Sequence, residues 1–153
     1  MFGTLVAGIF LHLLSEADTC VPTATVTTPV CCPLLSQLTL PRRAPSSTNF
    51  EQCSILRRIS STCPVDGFVL CDAAPDTNPT TMQIEFFNAT NVLVRTIQRT
   101  GTTLSAQVFC LNGVWVVRTA PNVNTNVTIS QVSCAQSGSA GADFGFVVGA
   151  ALN

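Results

Sequence analysis

The chain has 153 residues, of which 46% are hydrophobic and 10% charged, against the ~25% charged share usual in globular proteins. This apolar content excludes a wholly disordered chain, because disorder follows from having too few apolar side chains to offset the entropy of ordering. A formal net charge of −1 without a basic block argues against a nucleic-acid partner, and the absence of Lys and Tyr with a single histidine, His12, removes most of the side chains catalysis uses.

The first element is a mostly apolar run from Phe2 to Leu14, followed by Ser15, Glu16 and Ala17. Small residues three before and one before a cut after Ala17 resemble a secretory signal peptide over residues 1–17, although its start carries no Lys or Arg. Thirteen residues rise only about 20 Å as a helix, short of the ~30 Å hydrocarbon core, so no stable membrane span is expected. Cleavage removes His12 and Glu16, leaving seven Arg, seven acids and no histidine. The cysteines, Cys20, Cys31, Cys32, Cys53, Cys63, Cys71, Cys110 and Cys134, all follow the cut. An even count entering an oxidising compartment implies disulfides. Without histidine or a paired Cys-x-x-Cys arrangement zinc is disfavoured, and neither a metal nor another cofactor is expected. Two sequons, at Asn88 and Asn126, fit the same secreted, extracellular compartment; Asn88, in an expected turn, is the better acceptor.

Residues 18–49 form a Thr/Ser/Pro-rich N-terminal segment, with Pro22, Pro29, Pro33, Pro41 and Pro45 interrupting any regular ladder. Thr19 to Val30 reads as an extended spacer, O-glycosylated or, alternatively, an undecorated arm, and bridges from Cys20, Cys31 and Cys32 would tie part of the segment down. From 50 to 136 the signals are those of a β domain: short runs rich in Val, Ile, Thr and Phe, separated by Gly, Pro, Asn and Asp. Seven strands are predicted, at Ser54–Ser60, Gly67–Cys71, Thr81–Phe87, Val92–Gln98, Thr103–Leu111, Val114–Thr119 and Val127–Cys134. Strict alternation in the third turns Met82, Ile84 and Phe86 to the core and Gln83 and Glu85 to water.

Asn112-Gly113 between two apolar runs predicts a two-residue type I′ hairpin, since both central positions need positive φ. The register then sets Leu111 opposite Val114, Cys110 opposite Trp115 and Val108 opposite Val117. Leu104, Ala106, Val108, Cys110, Trp115 and Val117 share the core face. Phe109 and Val116 lie on the other face, the candidate interaction face. Seven short antiparallel strands with Cys and Trp on one inner face fit a disulfide-stabilised, all-β antiparallel sandwich, immunoglobulin-like in general architecture. Eight cysteines allow 105 pairings; the expectation is that Cys63 and Cys71 join Cys110 and Cys134. Residues 137–153 form a small-residue C-terminal tail whose apolar end, Phe144 to Leu152, is shorter than a lipid-anchor signal requires. A loose tail or a packed terminal strand is expected, with cell-surface anchoring the alternative.

The stretch from Cys53 to Cys134 resembles the six-cysteine (C-six) domain, a secreted module abundant in nematodes. The resemblance rests on Phe68-Val69-Leu70-Cys71, the Met-led strand at Met82, Cys110-Leu111-Asn112-Gly113-Val114-Trp115 and Ile129-Ser130-Gln131-Val132-Ser133-Cys134. Cys63, Cys71, Cys110 and Cys134 match the family pattern, and two of the four upstream cysteines complete the six. The wide spacing between Cys32 and Cys53 and the two extra cysteines depart from it. The resemblance implies an extracellular disulfide-bonded fold and no particular reaction.

Ser or Cys triads and Schiff-base chemistry lack their usual partners here. The acids Glu51, Asp66, Asp72, Asp76, Glu85 and Asp143 are scattered near turns, and no catalytic residue is expected. Of the two basic doublets, Arg57-Arg58 splits across the faces of a strand, while Arg42-Arg43 is expected in an exposed loop as solvated charge, with proteolytic processing the rival reading. The expectation is a secreted, non-catalytic binding or interaction module whose partner is an extracellular protein or glycan; the alternative is a structural or protective component of an extracellular matrix or surface coat.

Overall fold

A computed structural model describes residues 30–52, 54–138 and 140–141. The expected leader, with Cys20, Cys53 and Phe144 to Leu152, lies outside the described residues. Ten strands and no helix occur among the described residues: β1 (Ile55–Ser60), β2 (Asp66–Asp72), β3 (Thr77–Asn78), β4 (Thr81–Phe87), β5 (Leu93–Thr100), β6 (Thr103–Leu111), β7 (Val114–Arg118), β8 (Asn126–Thr128), β9 (Gln131–Ser137) and β10 (Ala140–Gly141). They form a five-stranded sheet in the order β1-β2-β6-β7-β8, a three-stranded sheet β5-β4-β9, and the small pair β10-β3, with every strand pair antiparallel. The all-β, antiparallel, disulfide-bonded class read from the sequence is therefore the class of the molecule.

Both larger sheets contribute to one core. Val69, Cys71, Leu104, Ala106, Val108, Trp115 and Val117 come from the first, and Met82, Ile84, Phe86, Val132 and Cys134 from the second. The period-2 alternation of β6, with Leu104, Ala106 and Val108 buried and their neighbours exposed, explains why this strand settles at the sheet centre with one apolar face inward. The β6–β7 hairpin has the expected register, Leu111 opposite Val114 and Cys110 opposite Trp115. Its turn has positive φ at both residues, 51° at Asn112 and 81° at Gly113. The ladder stops at Phe109 opposite Val116; beyond this pair β6 continues along β2 while β7 turns to β8.

The predicted strand Val127–Cys134 is two strands in two sheets. Ile129 N–H still donates to Trp115 of β7 (2.9 Å), whereas Ser130 N–H donates to Phe87 of β4 (2.8 Å). One peptide step hands the chain across the core, and Ile129 is buried at the crossing. Alternation alone carries no sign of such a transfer, because both halves obey the same period.

Gln83 and Glu85 do not meet water: both are buried, like every residue of β4 from Met82 to Phe87. The N-terminal segment accounts for part of this. Arg42 forms a parallel bridge to Val132 and Glu51 an antiparallel one to Gln136 along the edge of β9. Between them Ser46 donates its backbone N–H to Glu85 Oε2 (2.8 Å) and its hydroxyl to Oε1, and Arg43 stacks 4.0 Å from the Phe87 ring centroid. The expected spacer, Thr19 to Val30, lies outside the described residues except for Val30; the segment that follows it is docked, and Cys32, Leu35 and Leu40 belong to the core. Leu35 reaches so close to Gly67 that an added Cβ would lie 2.5 Å from Leu35 Cδ1 and 2.8 Å from the Ile59 carbonyl.

Candidate functional site

Among the described residues three bridges connect six cysteines: Cys31–Cys63, Cys32–Cys110 and Cys71–Cys134. The expected joining of Cys63 and Cys71 to Cys110 and Cys134 is met by Cys71–Cys134 alone. Cys63 and Cys110 are taken by the adjacent Cys31 and Cys32, because the N-terminal segment packs over the β6–β7 hairpin instead of standing away from it. Trp115 marks the same contact, its indole Nε1–H donating to the Pro33 carbonyl (2.9 Å). Cys71–Cys134 links β2 to β9, one sheet to the other. Cys32–Cys110 holds β6 one residue from Phe109, where the ladder between β6 and β7 ends.

At that point a recess of about 210 Å³ opens. Its lining includes the apolar Ala106, Val117 and Ile97 and the polar Ser105 and Gln107 of β6. Phe109, Arg118 and, from β5 in the other sheet, Arg95 complete the polar and aromatic wall. The geometry follows from the strand pattern. Phe109 and Arg118 project from the face opposite Val108 and Val117, and the ladder between β6 and β7 has already ended, so residues of both faces line one recess. The Arg118 guanidinium carbon sits 4.8 Å from the Phe109 ring centroid, a cation–π separation. Arg95 Nη1–H donates to the Arg118 carbonyl (2.9 Å), tying β5 to the end of β7. Among the described residues neither arginine forms an ion pair.

Phe109 and Val116, the two residues of the expected interaction face, are neighbours across the ladder, but Val116 is only 2% exposed. Of the two, Phe109 presents surface. The sequence offers two signals for the rest of the recess: Arg118 on the Phe109 face of the hairpin, and the alternation Arg95-Thr96-Ile97. Neither indicates that β5 stands beside β6 and β7, since β5 pairs with β4.

The other candidates lie apart. Asn88 follows β4 in a turn, its Oδ1 accepting from Thr90 N–H, Thr90 Oγ1–H and Val92 N–H. Asn126 is exposed in β8 opposite Arg118. Arg57 pairs with Asp72 across β1 and β2, Nη2 to Oδ2 at 2.5 Å. Arg58 donates to the Leu40 carbonyl (2.8 Å) and to Gln37, and burial pushes its guanidinium down from its ordinary pKa. Arg42-Arg43 is not solvated charge: Arg42 Nη2 donates to the carbonyls of Gln52 (2.9 Å) and Cys134 (2.8 Å). Among the described residues no three His, Cys, Asp or Glu side chains gather into a metal-holding group.

A scan against protein-family models finds no match, and no curated protein and no solved structure matches the chain.

Proposed function

We propose that this protein is a secreted, extracellular, non-catalytic binding module of the six-cysteine kind. The carrying observation is the recess beside Phe109, an open concave site with converging polar groups, set in a frame held by three disulfides. Recognition sites of this form need a rigid surround, because ordering costs at the moment of binding subtract from affinity. The disulfides support an oxidising compartment, and cleavage after Ala17 with glycans on Asn88 and Asn126 belongs to the same reading. On this reading Cys31 and Cys32 complete the six, which their pairing with Cys63 and Cys110 supports.

The test is capture from extracellular extract by the oxidised, glycosylated protein. A saturable partner that is lost on Phe109→Asp is the expected result. No partner at micromolar protein, with incorporation into insoluble matrix, would instead assign it to a structural or protective coat.

A further inference from the structure

We infer that the recess takes an acidic saccharide, gripping one carboxylate or sulfate substituent between Arg95 and Arg118 while Phe109 lies alongside. This rests on the binding-module reading and gives it a ligand class. The charge points that way first. Two arginines of different sheets line one small space, and among the described residues neither forms an ion pair with an acid. Asp66, the acid facing Phe109 across β2 and β6, has its Oδ2 engaged by Gln107 Nε2–H at 2.9 Å. Guanidinium groups recognise planar oxyanions through paired N–H donors.

Shape narrows the class. At about 210 Å³ the recess falls below the ~300–1,000 Å³ of pockets that enclose a whole small molecule. It therefore accommodates one substituent of a longer chain running over the surface. Its lining includes Ser105, with a hydroxyl, and Gln107, whose side-chain carbonyl is left to accept while Nε2 is held by Asp66; these suit a hydroxyl-rich chain, and one aromatic ring, Phe109, stands among the lining residues. A pair of arginines also meets acidic peptides; the hydroxyl and amide groups beside them favour the hydroxyl-rich chain, and the peptide is an arm of the test. Stacking of Arg118 on Phe109 holds the guanidinium in place before a ligand arrives, which lowers the ordering cost of binding.

Asn126 stands opposite Arg118 in the β7–β8 ladder, so a glycan there would border the site and add contacts of its own to the binding readout. The experiment therefore uses the full oxidised protein carrying Asn126→Gln. Binding is measured by calorimetry against a sulfated hexasaccharide, a uronate hexasaccharide and the methyl-esterified, uncharged form of the latter, with an acidic hexapeptide as a further arm. At least one charged saccharide should bind and the uncharged one should not. Arg118→Gln should weaken binding by about tenfold to a hundredfold, the scale of a lost charge-assisted contact. Arg118→Lys should recover part of it, because the charge returns without the fork. Arg118 is exposed and Arg95 bonds its backbone carbonyl, so unchanged Trp115 emission verifies the fold. Comparison of the sulfate and uronate arms identifies the acidic group. Binding indifferent to Arg118→Gln, preference for the acidic peptide, or no saccharide binding overturns the inference. If a saturable extracellular partner sensitive to Phe109→Asp persists in that case, the binding-module reading stands without it; if no such partner is found, both fall.

Discussion

Arg42 Nη2 donates to the carbonyl of Cys134 at 2.8 Å across 92 positions of sequence, and the same nitrogen reaches the Gln52 carbonyl at 2.9 Å. The N-terminal segment is thereby fastened to the edge of β9 at the residue whose sulfur bridges the two sheets. An arginine is suited to this place because one planar fork can satisfy several carbonyls that no strand covers.

Arg42→Ala is therefore expected to destabilise the oxidised protein by about 1–3 kcal/mol, the cost of leaving partly buried acceptors unpaired. Arg57→Ala removes an ion pair whose arginine side chain is 55% exposed and should cost under about 1 kcal/mol. Urea denaturation of both variants, followed by Trp115 emission, provides the comparison. Equal losses would contradict the anchoring role of Arg42.

The Arg42-Arg43 doublet should resist dibasic-directed proteases while the protein is folded. Arg43 N–H donates to the Val132 carbonyl at 2.9 Å and its guanidinium lies on Phe87, so the backbone is not free to enter a protease cleft. Mass spectrometry should find no cut after Arg43 in the oxidised protein and a prompt cut after reduction and unfolding. Rapid native cleavage there would show that the edge contact opens easily.

Peptide mapping under non-reducing conditions should recover Cys31–Cys63, Cys32–Cys110 and Cys71–Cys134. Replacing both Cys71 and Cys134 by Ala should lower stability by about 4 kcal/mol on chain-entropy grounds, for a bridge spanning 63 positions. That is a large share of the ~5–15 kcal/mol available to a small domain. A linkage of Cys63 to Cys110 would refute the docking of residues 30–35 over the hairpin.

Gly67→Ala should destabilise by about 1–3 kcal/mol, as overpacking generally does, because the new methyl meets Leu35 and the Ile59 carbonyl. Adding Leu35→Ala should relieve the side-chain part of that clash but leave the backbone part. The double variant is then less impaired than the sum of the single ones, a coupling that a double-mutant cycle reads directly.

A chain beginning at Phe50 should fail to fold. It lacks Leu35, Leu40 and the partners of Cys63 and Cys110. In the full chain, Leu40→Ala alone should cost about 2–5 kcal/mol, since Leu40 is fully buried. Native-like Trp115 emission from the shortened chain would mean that residues 30–49 decorate the domain without completing it.

The sequence by itself determined the β class, the hairpin register around Asn112-Gly113 and the inward face of β6, because these depend on period-2 alternation and on turn residues that tolerate positive φ. It also marked Phe109 as lying on the face away from the core. Tertiary structure alone decided that Val127–Cys134 crosses between sheets, that Gln83 and Glu85 are covered, and that a Pro-rich stretch supplies Leu35 and Leu40 to the core. It alone brought Arg95 beside Arg118 and paired Cys31 and Cys32 with Cys63 and Cys110. Local pattern reports which way a side chain points along its own strand; which segment comes to lie against it depends on contacts between residues distant in sequence, and the closure of those long loops leaves no periodic trace in the chain.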